Sequence, residues 1–198
     1  MLYYVHSKKL GTQMQTLIQA IQQVLPAVVK EINDVRIPAL EAAWGRTFQA
    51  EMTNENQVTV EIAKNYARPV NNTFLRHIQA VLPSFTEHTT DGSDYELNGV
   101  LIEDKNSFSE GNGWVGNGFQ KTPMHLLKKF KVDANGRITH AFIALVDLSK
   151  CQSGWSAKTV NTNRSVIAFE LADEAHIQIV CGTLKQNKKY LKPIMEAV

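Results

Sequence analysis

The chain has 198 residues, 43% of them hydrophobic and 20% charged, with a formal net charge of +2. This balance belongs to an ordinary globular domain able to bury a core without staples, and it argues against a disordered or disulfide-built chain. Cys151 and Cys181 show no CxxC spacing, no apolar run is long enough to span a bilayer, and the start lacks a signal peptide's apolar core. A cytoplasmic protein with two buried or idle thiols and no membrane partner is the expectation.

Residues 7 to about 50 read as helical. Met14, Leu17, Ile18, Ile21, Val24 and Leu25 recur at three- and four-residue intervals, the stripe of an amphipathic helix. Pro26 is expected to kink or end it, and Pro38 suits an early position of a further helix through Phe48. The polar side carries Gln13, Gln15, Gln19, Gln22 and Gln23, either a dimer interface or the neutral surface of a packing helix. After a polar break at 53–57, a helix is predicted over Val58–Tyr66, with Glu61 either a solvated side chain or an auxiliary metal carboxylate. Pro69 then opens a helix with Phe74, Leu75, Ile78, Val81 and Leu82 as its stripe, and Pro83 closes it. Ser84–Ser93 reads as a polar loop.

Asp94 to Lys105 reads as a β-hairpin. Tyr95–Leu97 and Val100–Ile102 are β-prone, and Asn98-Gly99 between them is a strong two-residue turn signal. Alternation puts Leu101, Glu103 and Lys105 on one face and Val100, Ile102 and Asp104 on the other, with Asp94 across from the Glu103–Lys105 end. Two carboxylates and an amine gathered there form a costly arrangement unless a divalent or polyanionic group joins them. A single acid-x-Lys at a strand end is more often a solvated edge pair.

Beyond Lys105, the stretch from Asn106 to Lys121 is rich in Gly and Asn without helical or strand period. Its Asn and Gln amides can pair with adenine edges, its Lys with guanine or phosphate, and its glycines allow close approach to a groove. Thr122-Pro123 is expected to cap a helix over Met124–Phe130, with Lys128, Lys129 and Lys131 as a basic cluster. His125, one turn before Lys128, is either structural or directed at a DNA backbone. Ile138–Leu148, apolar on both faces, predicts a central strand. Ser149–Ser165 is donor-rich and suits either a recognition loop or a plain surface. Val166–Leu171 and Ile177–Cys181 predict two strands, and Lys185–Val198 a basic helical tail.

The hairpin, with Asp94 followed by Glu103-Asp104-Lys105, resembles the motif of the PD-(D/E)XK nucleases, and among them the type II restriction endonucleases. Support for the resemblance extends over roughly residues 70–182. Ser93 stands where the family usually writes Pro, and Asp104 departs from its commoner apolar or small residue. The resemblance implies an α/β fold: a restriction-endonuclease-like mixed central β-sheet flanked by helices, with a helical N-terminal region. One domain is expected over 1–198, with 1–68 a helical region suited to dimerisation and 69–198 the catalytic core. Asp94, Glu103 and Lys105 are then the catalytic residues, and Asp94, Glu103 and the Asp104 backbone carbonyl the ligands of Mg²⁺. Double-stranded DNA would be cut at a short, specific, palindromic site by a homodimer, leaving 5′-phosphate ends. Expected DNA contacts are Asn106, Ser107, Asn112, Trp114, Asn117, Gln120, Lys121, Lys158, Asn163 and Arg164. The alternatives are a resolvase or repair nuclease of the same fold, and a DNA-binding protein without catalysis.

Overall fold

The computed structural model describes residues 2–45, 47, 58–88, 93–108, 113–115, 121–152, 156–157 and 165–198. The fold is mixed α/β. Helix α1 runs over Leu2–Glu31, a π-helical turn covers Ile32–Arg36, and α2 follows over Ile37–Trp44. Pro26 lies inside α1 rather than ending it. Its ring is on the exposed side, and the buried stripe continues in phase through Val28, Val29 and Ile32, so packing overrides the lost hydrogen bond. Helix α3 spans Val58–Val81 in one piece with Pro69 inside it, where two helices were expected. Among the described residues, no helix is long and apolar enough to cross a membrane.

Among the described residues the central sheet has seven strands. They are β1 (Phe85–Glu87), β2 (Tyr95–Leu97), β3 (Val100–Ser107), β5 (Met124–Val132), β6 (Ile138–Asp147), β9 (Ile177–Cys181) and β12 (Glu196–Ala197). A second sheet joins β4 (Trp114–Val115), β7 (Ser156–Ala157) and β8 (Ser165–Ile167). A separate ribbon pairs β10 (Thr183–Asn187) with β11 (Tyr190–Ile194). The large sheet runs β1-β2-β3-β5-β6-β12, with β9 also paired to β6. It is mixed, because β3 and β5 are parallel while the other neighbours are antiparallel.

Two cores lie on its two sides, and β6 feeds both by alternation. Ala141, Ile143 and Leu145 join the α1 and α3 stripes, whereas Phe142, Ala144 and Val146 join Trp114, Ile167, Phe169 and Leu191. The α1 stripe also packs against β9, where Gln22 Nε2 donates to the Val180 carbonyl at 3.0 Å. Helices therefore cover one face of the sheet, and the small sheet and ribbon pack on the other.

Further segments differ from the sequence expectation, among them Phe85–Glu87, an edge strand within the stretch expected as a polar loop. Met124–Val132 is the strand β5, not a capped helix, and the basic cluster does not lie on a solvated helix face: Lys128 and Lys129 are 0% and 1% exposed. Lys128 Nζ meets Asp104 Oδ2 at 2.9 Å and Asn71 Oδ1 at 3.0 Å and lies over the Phe74 ring, so partners distant in sequence make its burial tolerable. Lys129 lies over Trp114, and burial first, then the Lys192 charge, pushes its pKa down to about 8. The C-terminal segment is a hairpin and a short strand rather than a helix.

Candidate active site

The turn that builds the site is the one legible in the sequence. Leu97 pairs directly with Val100, and Asn98 and Gly99 have φ of 49° and 87°, the left-handed pair that a two-residue hairpin needs. Register then sets the chemistry. Tyr95 opposes Ile102, so Asp94 arrives beside Glu103, and the Asp94 N–H donates to the Ile102 carbonyl at 3.2 Å. Asp94 Oδ2 accepts the Asp104 N–H at 2.7 Å. In an extended strand a residue's N–H and C=O leave by the same edge, so the Asp104 carbonyl is directed to the side of Asp94.

Glu103 is buried, 2% exposed, and Oε1 accepts from Lys105 Nζ, with Lys121 Nζ at 3.8 Å. Lys121 is brought there because the next residue, Thr122, donates its hydroxyl to the Leu101 carbonyl at 3.0 Å, tying the return of the crossover to β3. Burial raises the Asp94 pKa; the Asp104 N–H opposes this, the Glu103 charge adds to it, and Lys105 and Lys121 pull it down. Asp94, Glu103, Lys105 and Lys121 therefore share one electrostatic neighbourhood.

Asp104 faces the other way. Its carboxylate is wholly buried beneath α3 against Lys128, with the Tyr95 hydroxyl 3.5 Å from the same oxygen. Burial raises its pKa and Lys128 counteracts this. Its side chain is thus a structural partner on the helix side, and any ligand role belongs to its backbone.

Of the other sequence-predicted contacts, Ser107 is half-buried at the end of β3 in register with Lys129. Asn106 is turned to the helix side and donates Nδ2 to Asn71 Oδ1 at 2.6 Å. Trp114 corrects the expectation of a DNA contact: it is 0% exposed, packs on Phe142 and Phe169, and donates Nε1–H to the Lys128 carbonyl at 2.8 Å. Its indole fills the second core. Asn112, Asn117, Gln120, Lys158, Asn163 and Arg164 lie outside the described residues, and nothing is described of the Glu61 side chain.

Two features of the site were not placed by the sequence: the position of His125, read there as structural or directed at a DNA backbone, and a polar cleft. His125 pairs in register with Glu103 and is buried on that face; burial, with a smaller push from Lys105, drives its pKa down to about 4, so the imidazole is neutral. It was hidden because β5 reads as a helix. A polar cleft of about 320 Å³ also opens between α3 and β1–β2, lined by Arg68, Asn71, Asn72, Glu87, His88 and Asp94 among others.

Could these residues hold a hard cation? Two carboxylates that repel each other, one carbonyl directed to their side, and two ammonium groups beyond them fit the chemistry of an ion that takes oxygen ligands and keeps water. Among the described residues no group of three or more His, Cys, Asp or Glu is placed to hold a metal. A cation here would complete its shell with water and a phosphate oxygen instead of more side chains.

No family model matches the chain, and no curated protein matches it. Among solved structures, XiaF from Streptomyces sp. in complex with FADH2 and glycerol is similar at 14% identity with a TM-score of 0.20, covering 82% of this chain and 50% of that one. The chain thus spans half the length of that protein, and so low a score carries no argument about fold or activity.

Proposed function

We propose that the chain is a Mg²⁺-dependent, site-specific DNA endonuclease of the type II restriction kind, acting as a homodimer on double-stranded DNA. The observation that carries this reading is the gathering of Asp94, Glu103 and Lys105 at the open end of one hairpin, with Asp104 turned away.

Asp94 and Glu103 would hold the cation, with the Asp104 carbonyl beside them. When bound, Mg²⁺ supplies Lewis-acid polarisation of the phosphate. Lys105, next to Glu103 Oε1, would orient the attacking water and offset the negative charge that builds on the phosphate. Water adds to phosphorus, the bond to the 3′ oxygen breaks, and that oxygen takes a proton, leaving 5′-phosphate and 3′-hydroxyl ends. Lys121 adds positive charge on the same side. The neutral His125 contributes no charge. Dimerisation follows from symmetry, since a two-fold assembly reads a two-fold sequence.

Plasmid digestion with Mg²⁺ and with EDTA tests the proposal. Discrete bands that vanish with EDTA support it, and a metal-dependent smear points to a resolvase or repair nuclease. Intact plasmid in every condition sinks the nuclease and leaves a DNA-binding protein without catalysis.

A further inference from the structure

The ribbon β10–β11 belongs to neither the central sheet nor the candidate site. Its twelve residues, 183–194, carry Lys185, Lys188, Lys189 and Lys192 and no acid, while the whole chain has 21 Lys+Arg and 19 Asp+Glu; outside the ribbon, acids outnumber bases. Pairing sorts its faces. Leu191, opposite Gln186, is buried in the second core, and Pro193, opposite Leu184, is also buried. The other face presents Lys185 directly opposite Lys192, and Asn187 opposite Tyr190, all four exposed.

Two lysines directly across a strand pair repel, a cost the fold would avoid by placing an acid at either position. The tip adds Lys188 in the left-handed region, φ 57°, and Lys189, whose Nζ lies 5.0 Å over the Tyr190 ring. The ribbon is firmly based. Leu191 N–H donates to the Phe169 carbonyl at 3.0 Å, Leu171 N–H to the Lys189 carbonyl at 3.2 Å, and Glu170 bridges Tyr190. Gly182, at φ 84°, makes the corner that takes the chain off the sheet; a Cβ there would lie 2.7 Å from the Ile194 carbonyl oxygen.

Register also fixes which side the ribbon is on. Lys105 pairs with Leu127, and Leu127 with Ala144. Leu127 and Ala144 share the second core with Leu191 of β11, so the ribbon lies on the same side of the sheet as Glu103 and Lys105.

We propose that this ribbon is a duplex-DNA contact that enters the major groove of the DNA engaged by the Asp94–Glu103–Lys105 centre, an inference that rests on the nuclease reading. A B-form major groove, roughly 12 Å wide, admits a two-stranded β-ribbon, whereas the deep, narrow one of A-form RNA does not. Lys185, Lys188, Lys189 and Lys192 would meet phosphates at the groove walls, and Asn187 and Tyr190 would face base edges.

The test uses a labelled duplex in EDTA, so that binding is read without cleavage, with the full chain and the variants K188Q/K189Q and K185Q/K192Q. Each pair is expected to weaken binding about tenfold or more and to flatten the slope of log K against log salt by roughly 1.8, since each lost phosphate contact removes about 0.9. K188R/K189R restores both. Unchanged affinity and slope in both pairs overturn the proposal. So does lysine-dependent binding to anionic vesicles by a chain whose duplex affinity ignores the ribbon. Ribbon-dependent binding by a chain that never cuts supports the ribbon and sinks the nuclease reading alone; unimpaired binding and cutting by the ribbon variants does the reverse.

Discussion

Strand β3 presents an acid and a lysine partner on each of its sides, in opposite settings. On the side of the second core, Glu103 meets Lys105 two residues away, with Lys121 and Asp94 close by and a lysine side chain that still reaches solvent, 14% exposed. On the helix side, Asp104 meets Lys128 of the neighbouring strand, and both side chains are 0% exposed. Composition does not separate them; accessibility does. In the first cluster Lys105 and Lys121 reach solvent above a buried Glu103, whereas the second is closed by Asn71, Phe74 and Tyr95 and holds the strand in place.

The largest effects should fall on the first side and leave the fold intact. Asp94→Ala and Lys105→Ala are each expected to lower Mg²⁺-dependent cleavage by about 10³-fold or more, because the transition-state charge loses its partners. Duplex binding in EDTA should stay near wild type, and urea unfolding should lose less than on the second side: Lys121 remains beside Glu103 when Lys105 is removed, and Asp94→Ala costs the acceptor of one backbone N–H, about 1–3 kcal/mol. A variant that unfolds instead would mean that this cluster is structural too, and the contrast between the sides would fail.

The second side should answer in stability. Lys128→Met strands a buried carboxylate, and Asp104→Asn a buried ammonium; each is expected to cost roughly 3–5 kcal/mol. Asp104→Leu with Lys128→Met removes both charges and should recover most of that loss, since an apolar pair of similar volume often matches a buried ion pair. Urea melts followed by the fluorescence of the chain's tryptophans would measure this. Failure of the double variant to recover would show the pair doing more than filling space.

The contrast was half legible. Asn98-Gly99 announced the turn, the phase of the hairpin separated Glu103 from Asp104, and the apolar run Ala141–Val146 announced a central strand. Beyond that, local pattern misled. Thr122-Pro123 followed by Met124-His-Leu-Leu-Lys-Lys has the capping and spacing of a helix, and only Asp104 and Asn71, 24 and 57 residues earlier in the chain, explain why Lys128 lies in a strand. With β5 taken for a helix, His125 could not be placed beside Glu103. The C-terminal hairpin was hidden for a different reason: its turn uses Lys188 in the left-handed region, with no Gly or Asn-Gly to mark it. Trp114 shows the limit of loop composition, which suggested a surface aromatic where the fold uses a core one.

Acid should separate the two sides by the pH at which each begins to fail. His125, on the Glu103 side, is held neutral, its pKa lowered from 6.5 to about 4, chiefly by burial. The unfolded chain takes up that proton first, so its share of stability is present above about 6.5 and is lost as pH falls toward 4. His125→Gln should flatten this limb of a pH–stability curve. Glu31, on the helix side, joins α1 to Arg76 and His77 of α3 and to Arg36. Burial would raise its pKa, but hydrogen bonds from Arg76, His77 and Arg36, with the Arg76 charge, outweigh it and bring the value from 4.5 to about 2. Its contribution is present above 4.5 and lost as pH falls through about 2, and Glu31→Gln should flatten only that lower limb.

The smallest expected effect sits at the turn, which serves both sides at once. Gly99 has a φ of 87°, and nothing lies within 4 Å of where a Cβ would stand, so Gly99→Ala meets backbone strain alone, about 1–2 kcal/mol. Asn98→Gly keeps the left-handed pair and should be close to neutral. Either variant that keeps the register should cleave like wild type, however much less stable it is. A one-residue slip would exchange the faces of β3, driving Glu103 and Lys105 beneath α3 and turning Asp104 out toward the second core. Deep loss of cleavage together with exposure of Lys128 to amine-labelling reagents would reveal that slip, and would make the turn, rather than the charges, the feature that tells the two sides apart.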